Sequence, residues 1–394
     1  MSPFPIGESK RYRVASCGEL NSKRDKKRIS GPCLLSFFYW KNQMTQNTAQ
    51  NRKAHLFIYS AIVIGVFFIM AIPFYYKHAA KGKDSVTYSR MLMGTIVEIT
   101  IMDETADSDK AVKAAFAEIK RLEALLSSYI PTSDVSMVSK NAGAGAVKVS
   151  PEVMEVMEAA LAVAKLSDGA FDPTIGSLAP LWGFSAESGK VPERDEVNKL
   201  LPLVNYRKAA IDRAAQTIGL KERGMTLNLG GIAKGYIIGK AAMTLKQNNV
   251  RRGIIKAGGD MAIFQNKVSE KPMTIGIQHP REGSKFLGEA FVVNGAIATS
   301  GDYERYFMVN DTRYHHIIDP KTGFPAALAQ SVTIIAKDPV TADGLSTAVF
   351  VMGPEAGMAL IERLPDTEAI IVDANGHVTV STGFKGNLPF LKKR

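Results

Sequence analysis

Asp343 and Thr347 stand four residues apart in a segment that carries the punctuation of a helix. Asp338 suits the N-cap, Pro339 the first helical position and Gly353 the position just past the end. On such a helix, residues i and i+4 project from one face about one turn apart. A carboxylate and a hydroxyl so placed are two hard oxygen donors, which suit Mg²⁺, an ion that keeps water or substrate phosphate in its remaining positions. The same spacing is also that of a solvated Asp and an ordinary helix Thr, and spacing alone does not choose. A second group with chemistry lies just upstream: His315-His316, followed by an Asp-Pro turn (Asp319, Pro320) and a Thr-Gly turn (Thr322, Gly323). Imidazole titrates near neutral pH and can take a proton from a weak hydroxyl nucleophile. A strand histidine bonded to a backbone carbonyl is the plainer alternative. Adjacent strand residues face opposite ways, so His315 should point away from His316. Asp319 shapes the turn or orients a histidine.

A third feature sits in mid-chain, where Thr226-Leu227-Asn228-Leu229 reads as a strand and Gly230-Gly231 turns it into a helix over about 232–245. A strand, glycines and a helix N-terminus present free N–H groups and the positive end of a helix dipole, a geometry that suits phosphate. A tight turn is the alternative, because this is neither a GxGxxG nor a Walker loop. Lys234 in the first turn opposes the dipole and so points to an anion rather than to helix stability.

These groups need elements to hold them. Met91 to Met102 reads as a strand, with Val97, Ile99 and Ile101 on one face. A helix comes next over about 108–127, with Val112, Phe116, Ile119, Leu122 and Leu126 on its apolar stripe. Ser150-Pro151 opens a second amphipathic helix that ends before Gly169. Trp182 reads as core. Short strands continue through 253–256, 274–278, 290–293, 296–299 and 331–336, and the chain ends with a helix over about 354–363 and a hairpin tipped by Asn375-Gly376, a type I′ signal. Many short strands with interspersed helices and no βαβ regularity predict an α+β fold of mixed, mostly antiparallel strands with flanking helices.

The chain has 394 residues and a formal charge of +11. Residues 1–55 hold 11 Lys/Arg against 3 Asp/Glu, a net of +8, leaving +3 for the rest, so the basicity belongs to a tail and gives no case for nucleic acid. Residues 56–76 form an uncharged apolar run of 21, enough to cross a bilayer at ~1.5 Å per residue. The basic flank predicts a cytoplasmic N-terminus and an exported remainder held by a single-pass anchor. A cleaved signal peptide is the runner-up, and Met44 is a second candidate start. The expected organisation is a basic tail over 1–55, an anchor over 56–76, a linker over 77–90 and one domain over 91–394. Both cysteines, Cys17 and Cys33, precede the apolar run, which excludes disulfides, thiolate metal sites and cysteine nucleophiles from the exported region beyond it.

Eight short stretches in colinear order give the region from about Met91 to Phe384 a family resemblance. They are Met93-Gly94-Thr95, Ser128-Tyr129, Ala170-Phe171-Asp172, Leu227 to Tyr236, Ala257-Gly258-Gly259-Asp260, Thr299 to Tyr303, His316 to Gly323 and Thr341 to Thr347. Together they resemble the FAD:protein FMN transferases, the ApbE-type flavin transferases. The resemblance implies Mg²⁺-dependent transfer of the FMN half of FAD to a Thr or Ser hydroxyl of a target protein, with release of AMP. It implies Mg²⁺ held by Asp343, Thr347 and the carbonyl of Gly231, and FAD contacted by Met93, Tyr129, Ala170, Phe171, Asp172, Asn228, Lys234 and the backbone near Ile317. It makes His316 the candidate base. Asn228 stands where many members have Asp, and Lys234 where some have Glu. The implied acceptor carries a Ser/Thr-Gly-Ala-Thr-type segment, as a subunit of a membrane redox complex would. Hydrolysis of FAD to FMN and AMP, and FAD binding without chemistry, are the alternatives.

Overall fold

The computed structural model describes residues 10–13 and 85–389, apart from 104, 106, 185–188 and 267–270. The expected anchor over 56–76 and nearly all of the basic tail lie outside the described residues.

Nine strands form one sheet whose spatial order is also the chain order. They are β1 (Lys10–Arg13), β2 (Val86–Leu92), β3 (Thr95–Ile101), β4 (Arg252–Ala257), β5 (Asp260–Gln265), β6 (Gly295–Gly301), β7 (Ala329–Ala336), β8 (Thr367–Asp373) and β9 (Val378–Val380). Every neighbouring pair is antiparallel, as expected for an α+β fold. Where the sequence reads as one strand from Met91 to Met102, the chain makes a hairpin, with Met93 (φ 53°) and Gly94 (φ 67°) as its two-residue turn. Two positive φ values in succession match the right-handed twist of the flanking strands. Residues 86–90, expected as linker, are therefore the start of β2. The chain's end also differs in detail. The hairpin β8–β9 forms, but at its tip only Gly376 has positive φ (87°), so the turn is not type I′. The Asp373 carboxylate shapes it instead by accepting from the N–H groups of Asn375 and His377, both at 2.8 Å.

Period-two alternation gives the sheet two apolar faces. On β6–β8, Ala296, Ala298, Val332, Ile334, Ala369 and Ile371 face a helical layer, while Ile297, Ile370 and Val372 face a three-stranded sheet built from Met273–Gln278, Phe286–Val292 and Gly386–Asn387. The helical layer comes largely from one long excursion between β3 and β4, which contains α1 (Ser108–Leu126), α2 (Pro151–Leu166) and α3 (Ala233–Gln247). On α1 the expected stripe Val112, Phe116, Ile119, Leu122 and Leu126 is buried. At roughly 1.5–3 kcal/mol per large apolar side chain removed from water, that stripe fixes which side of the helix meets the sheet. Trp182 is fully buried, its indole N–H donating to the Gly323 carbonyl at 3.0 Å among Phe184, Tyr314 and Phe324.

The last long helix, α4 (Pro339–Ile361), begins as its sequence signals require, with the Asp338 carboxylate accepting from the Thr341 N–H at 2.9 Å. It breaks at Gly353 (φ 78°) before Pro354, so the two helices read from the sequence meet end to end. Among the described residues it is the one helix long and apolar enough to cross a membrane, and most of its apolar stretch is buried under β6–β8 and α3 as a core helix.

Candidate active site

The site lies where the first turn of α3 crosses α4. Leu227 and Leu229 are buried, and between them the Asn228 side chain accepts from the Gly230 N–H at 2.8 Å, folding the glycine turn back on itself. The N-cap position of α3 is Ile232, which offers no side-chain cap. The missing acceptor comes from the neighbouring helix: the buried Asp343 carboxylate takes the Gly235 N–H at 2.8 Å. That approach requires glycine, because a Cβ at position 235 would lie 2.1 Å from the Pro339 carbonyl oxygen and 2.8 Å from the Asp343 Cβ. One turn further along α4, the Thr347 hydroxyl donates to the Gly231 carbonyl at 3.4 Å. Helix crossing thus brings together the three oxygen donors expected at 231, 343 and 347.

Charge sharpens the arrangement. Asp260, buried at the start of β5, forms an ion pair with Lys234. The anion that Lys234 faces is thus a protein carboxylate. Burial alone would depress the Lys234 ammonium, yet the Asp260 and Asp343 charges overturn that and raise it. Asp343 is pushed up to about 7, first by burial and then by repulsion from Asp260, with Lys234 and the backbone N–H of Gly235 pulling the other way. One ammonium between two buried carboxyl groups leaves excess negative charge once Asp343 is ionised, beside the Gly231 carbonyl and the Thr347 hydroxyl. Among the described residues no group of three or more His, Cys, Asp or Glu could hold a metal. A cation here would rest on one carboxylate, one hydroxyl and one carbonyl, a hard-oxygen set that fits Mg²⁺ and leaves positions for phosphate.

The two histidines diverge, His315 closing the strand Thr312–His315 and His316 following just past its end. His315 is buried, donating from Nε2 to the Ala326 carbonyl at 2.8 Å and accepting the Ile317 N–H on Nδ1 at 3.3 Å. It is structural. His316 is reached by solvent, and its Nδ1 lies 3.3 Å from the Arg305 carbonyl. A carbonyl only accepts, so Nδ1 carries the proton and Nε2 keeps a free lone pair. Crowding by the surrounding protein, then the positive charge of Arg305, holds His316 below the ordinary imidazole value, leaving it neutral at working pH. Asp319 bonds the Lys321 N–H at 2.9 Å and so shapes its turn.

The expected flavin-contacting residues divide. A Cβ at Gly231 would lie 3.2 Å from the Phe171 ring, so Phe171 borders the centre. Ala170 and Ile317 are buried in the core that α4 shares. The Asp172 carboxylate accepts from the N–H and hydroxyl of Thr174 at 2.8 and 2.6 Å and from the Tyr206 N–H at 2.8 Å, so it ties loops together. Met93 sits at the β2–β3 turn, its N–H held by Glu123 at 2.9 Å. Tyr129 is 70% exposed and lines a small cleft with Ser128, Lys140 and Thr226. Asp260 and Arg305 also belong to the site, although their sequence surroundings barely mark them. For Asp260 the one signal is a carboxylate closing an Ala-Gly-Gly turn; Arg305 acts through its carbonyl, which any residue would supply, and through its charge.

The ApbE family model matches residues 93–371. An FAD:protein FMN transferase of Klebsiella pneumoniae is 32% identical over 299 residues, covering 75% of this chain and 92% of the relative. The crystal structure of the ApbE protein of Thermotoga maritima superposes with a TM-score of 0.71 at 35% identity, over 76% of this chain and 97% of that one. The flavin transferase ApbE of Vibrio cholerae gives 0.67 at 28% identity, over 76% and 97%. With the helix crossing, the glycine turn and the histidine strand all inside the matched span, the chain belongs to the ApbE family.

Proposed function

We propose that this protein transfers the FMN half of FAD to a Ser or Thr hydroxyl of an acceptor protein in a Mg²⁺-dependent reaction that releases AMP. The observation that carries the reading is the convergence of the Gly231 carbonyl, the Thr347 hydroxyl and the buried Asp343 carboxylate at one helix crossing. Mg²⁺ bound there would offset the charge of a pyrophosphate, the main obstacle to attack on phosphorus. His316 supplies the base: its free Nε2 takes the proton of the acceptor hydroxyl as the oxygen bonds to the FMN phosphorus. The bond to the AMP phosphate oxygen breaks, and AMP leaves with the electron pair. Phe171 and the Gly230-Gly231 turn border the space for the phosphates. The relatives' names, FAD:protein FMN transferase, support the same reading.

The 21-residue apolar run over 56–76 and its basic flank support a single-pass inner-membrane protein whose catalytic domain is periplasmic. An acceptor with a Ser/Thr-Gly-Ala-Thr-type segment in a membrane redox complex is the partner this placement favours. Incubating the full chain with FAD, Mg²⁺ and such an acceptor should give a fluorescent acceptor and one AMP per flavin attached. AMP without labelled acceptor would replace transfer with hydrolysis, and bound FAD with neither product would replace it with storage.

A further inference from the structure

Behind Thr347 runs a chain of hydroxyls that ends on the helix carrying Asp343. The Ser346 hydroxyl donates to the Asp343 backbone carbonyl at 2.8 Å. Ser300, on β6, has its Oγ 2.9 Å from the Ser346 Oγ and 3.4 Å from the Thr347 Oγ1. The proton directions come from valence. Ser346 has one proton and spends it on a carbonyl that can only accept, so toward Ser300 it can only accept. Ser300 therefore donates to Ser346, and toward Thr347 it too can only accept.

This leaves the Thr347 proton two acceptors at the same 3.4 Å: the Gly231 carbonyl and the Ser300 hydroxyl. A cation shared by the Gly231 carbonyl and Thr347 Oγ1 needs a lone pair from each and cannot tolerate a proton between them. The proton must then turn to Ser300. We propose that Ser300 is a positioning residue for the divalent cation: by accepting the Thr347 proton it turns the O–H away from the ion and a Thr347 lone pair toward it, through the ordered relay Thr347 to Ser300 to Ser346 to the Asp343 carbonyl. The relay joins strand β6 to α4 and orients one metal-ligating side chain from the far side, as outer partners of metal ligands do. Ser346 is buried, so no bulk water substitutes for its part of the relay. The inference rests on the metal reading proposed above.

The test is Mn²⁺ titration of the full chain, without nucleotide, tracked by loss of the free-ion signal in electron paramagnetic resonance. Ser300→Ala should weaken Mn²⁺ binding on the order of 10-fold, the lower end of what loss of an outer partner costs. Ser300→Thr, which keeps a hydroxyl, should restore it. Thermal midpoints in chelator should agree between wild type and Ser300→Ala, and kcat at saturating Mg²⁺ should stay close to wild type while the Mg²⁺ concentration for half-activity rises. Ser346→Ala gives an independent arm: it releases the Ser300 proton, which then competes for the Thr347 oxygen, and affinity should fall in the same direction. Wild-type affinity in both alanine variants overturns the relay. Wild-type protein that binds no Mn²⁺ overturns the metal reading itself.

Discussion

The Asp343 carboxylate caps the first turn of a helix other than its own, taking the Gly235 N–H across the α3–α4 crossing at 2.8 Å. One side chain thereby fixes the distance between the helices, supplies charge to the site and lies within a turn of Thr347. Asp343→Ala should abolish turnover while FAD still binds. AMP release under saturating FAD and Mg²⁺ checks this, and full activity would remove the metal assignment.

The same residue predicts a pH effect on stability. Its folded pKa, about 7, lies above its ordinary 3.8, so the native state keeps a proton that the unfolded chain gives up. In chelator, stability should therefore fall as pH rises between about 4 and 7 and be flat above. Thermal midpoints across that range should show the slope in wild type and lose it in Asp343→Asn. Mg²⁺, which favours the carboxylate, should recover stability at pH 7 and above.

His316→Asn should bind FAD as wild type does and label the acceptor roughly 10²–10⁴-fold more slowly, the usual worth of a positioned base. Because the ring is held below its ordinary 6.5, it stays neutral through mildly acid pH. At saturating Mg²⁺, which would hold Asp343 ionised, the acid limb of kcat/KM should accordingly lie below 6.5. A limb at 6.5 would show an unshifted ring, and unchanged labelling by the variant at neutral pH would remove His316 as the base.

Gly235→Ala places a methyl 2.1 Å from the Pro339 carbonyl oxygen. Backbone on both sides must move, at a cost of roughly 1–3 kcal/mol as for overpacking elsewhere. Denaturant unfolding should show that loss together with weakened Mg²⁺ dependence, whereas Gly239→Ala, whose Cβ would meet only the Pro339 ring at 3.4 Å and beyond, should be close to neutral.

Asp172 separates a structural role from a binding one. Its two oxygens accept three hydrogen bonds, and Asp172→Asn must break at least one, costing roughly 1–3 kcal/mol. FAD affinity measured on folded protein should be unchanged if the carboxylate only ties loops. A large fall in affinity with stability intact would show direct contact with flavin.

The proximity of the oxygen donors at Gly231, Asp343 and Thr347 is legible because each sits on a local signal: Asp338-Pro339 fixes the phase of α4, which puts Asp343 and Thr347 on one face, and Gly230-Gly231 marks the start of α3. The divergence of His315 and His316 follows from the alternation of extended backbone. What local sequence does not show is pairing across long separations. Nothing near Lys234 announces that its partner is Asp260, and Ser300 gains meaning only when β6 is laid under α4. The β2–β3 hairpin is hidden in the sequence because its turn is Met93-Gly94 rather than a polar pair, so local composition reads straight through it.

The donors at Gly231 and Thr347 are separated by 116 positions in the chain, and Gly235 and Asp343 by 108. No short peptide from this protein carries both halves of the centre. In the proposed metal reading the ion finds its donors only once α4 has docked on α3, a step that closes a loop of more than a hundred residues. Loading would then report completed topology, and by mass action the ion would protect only molecules that have finished folding.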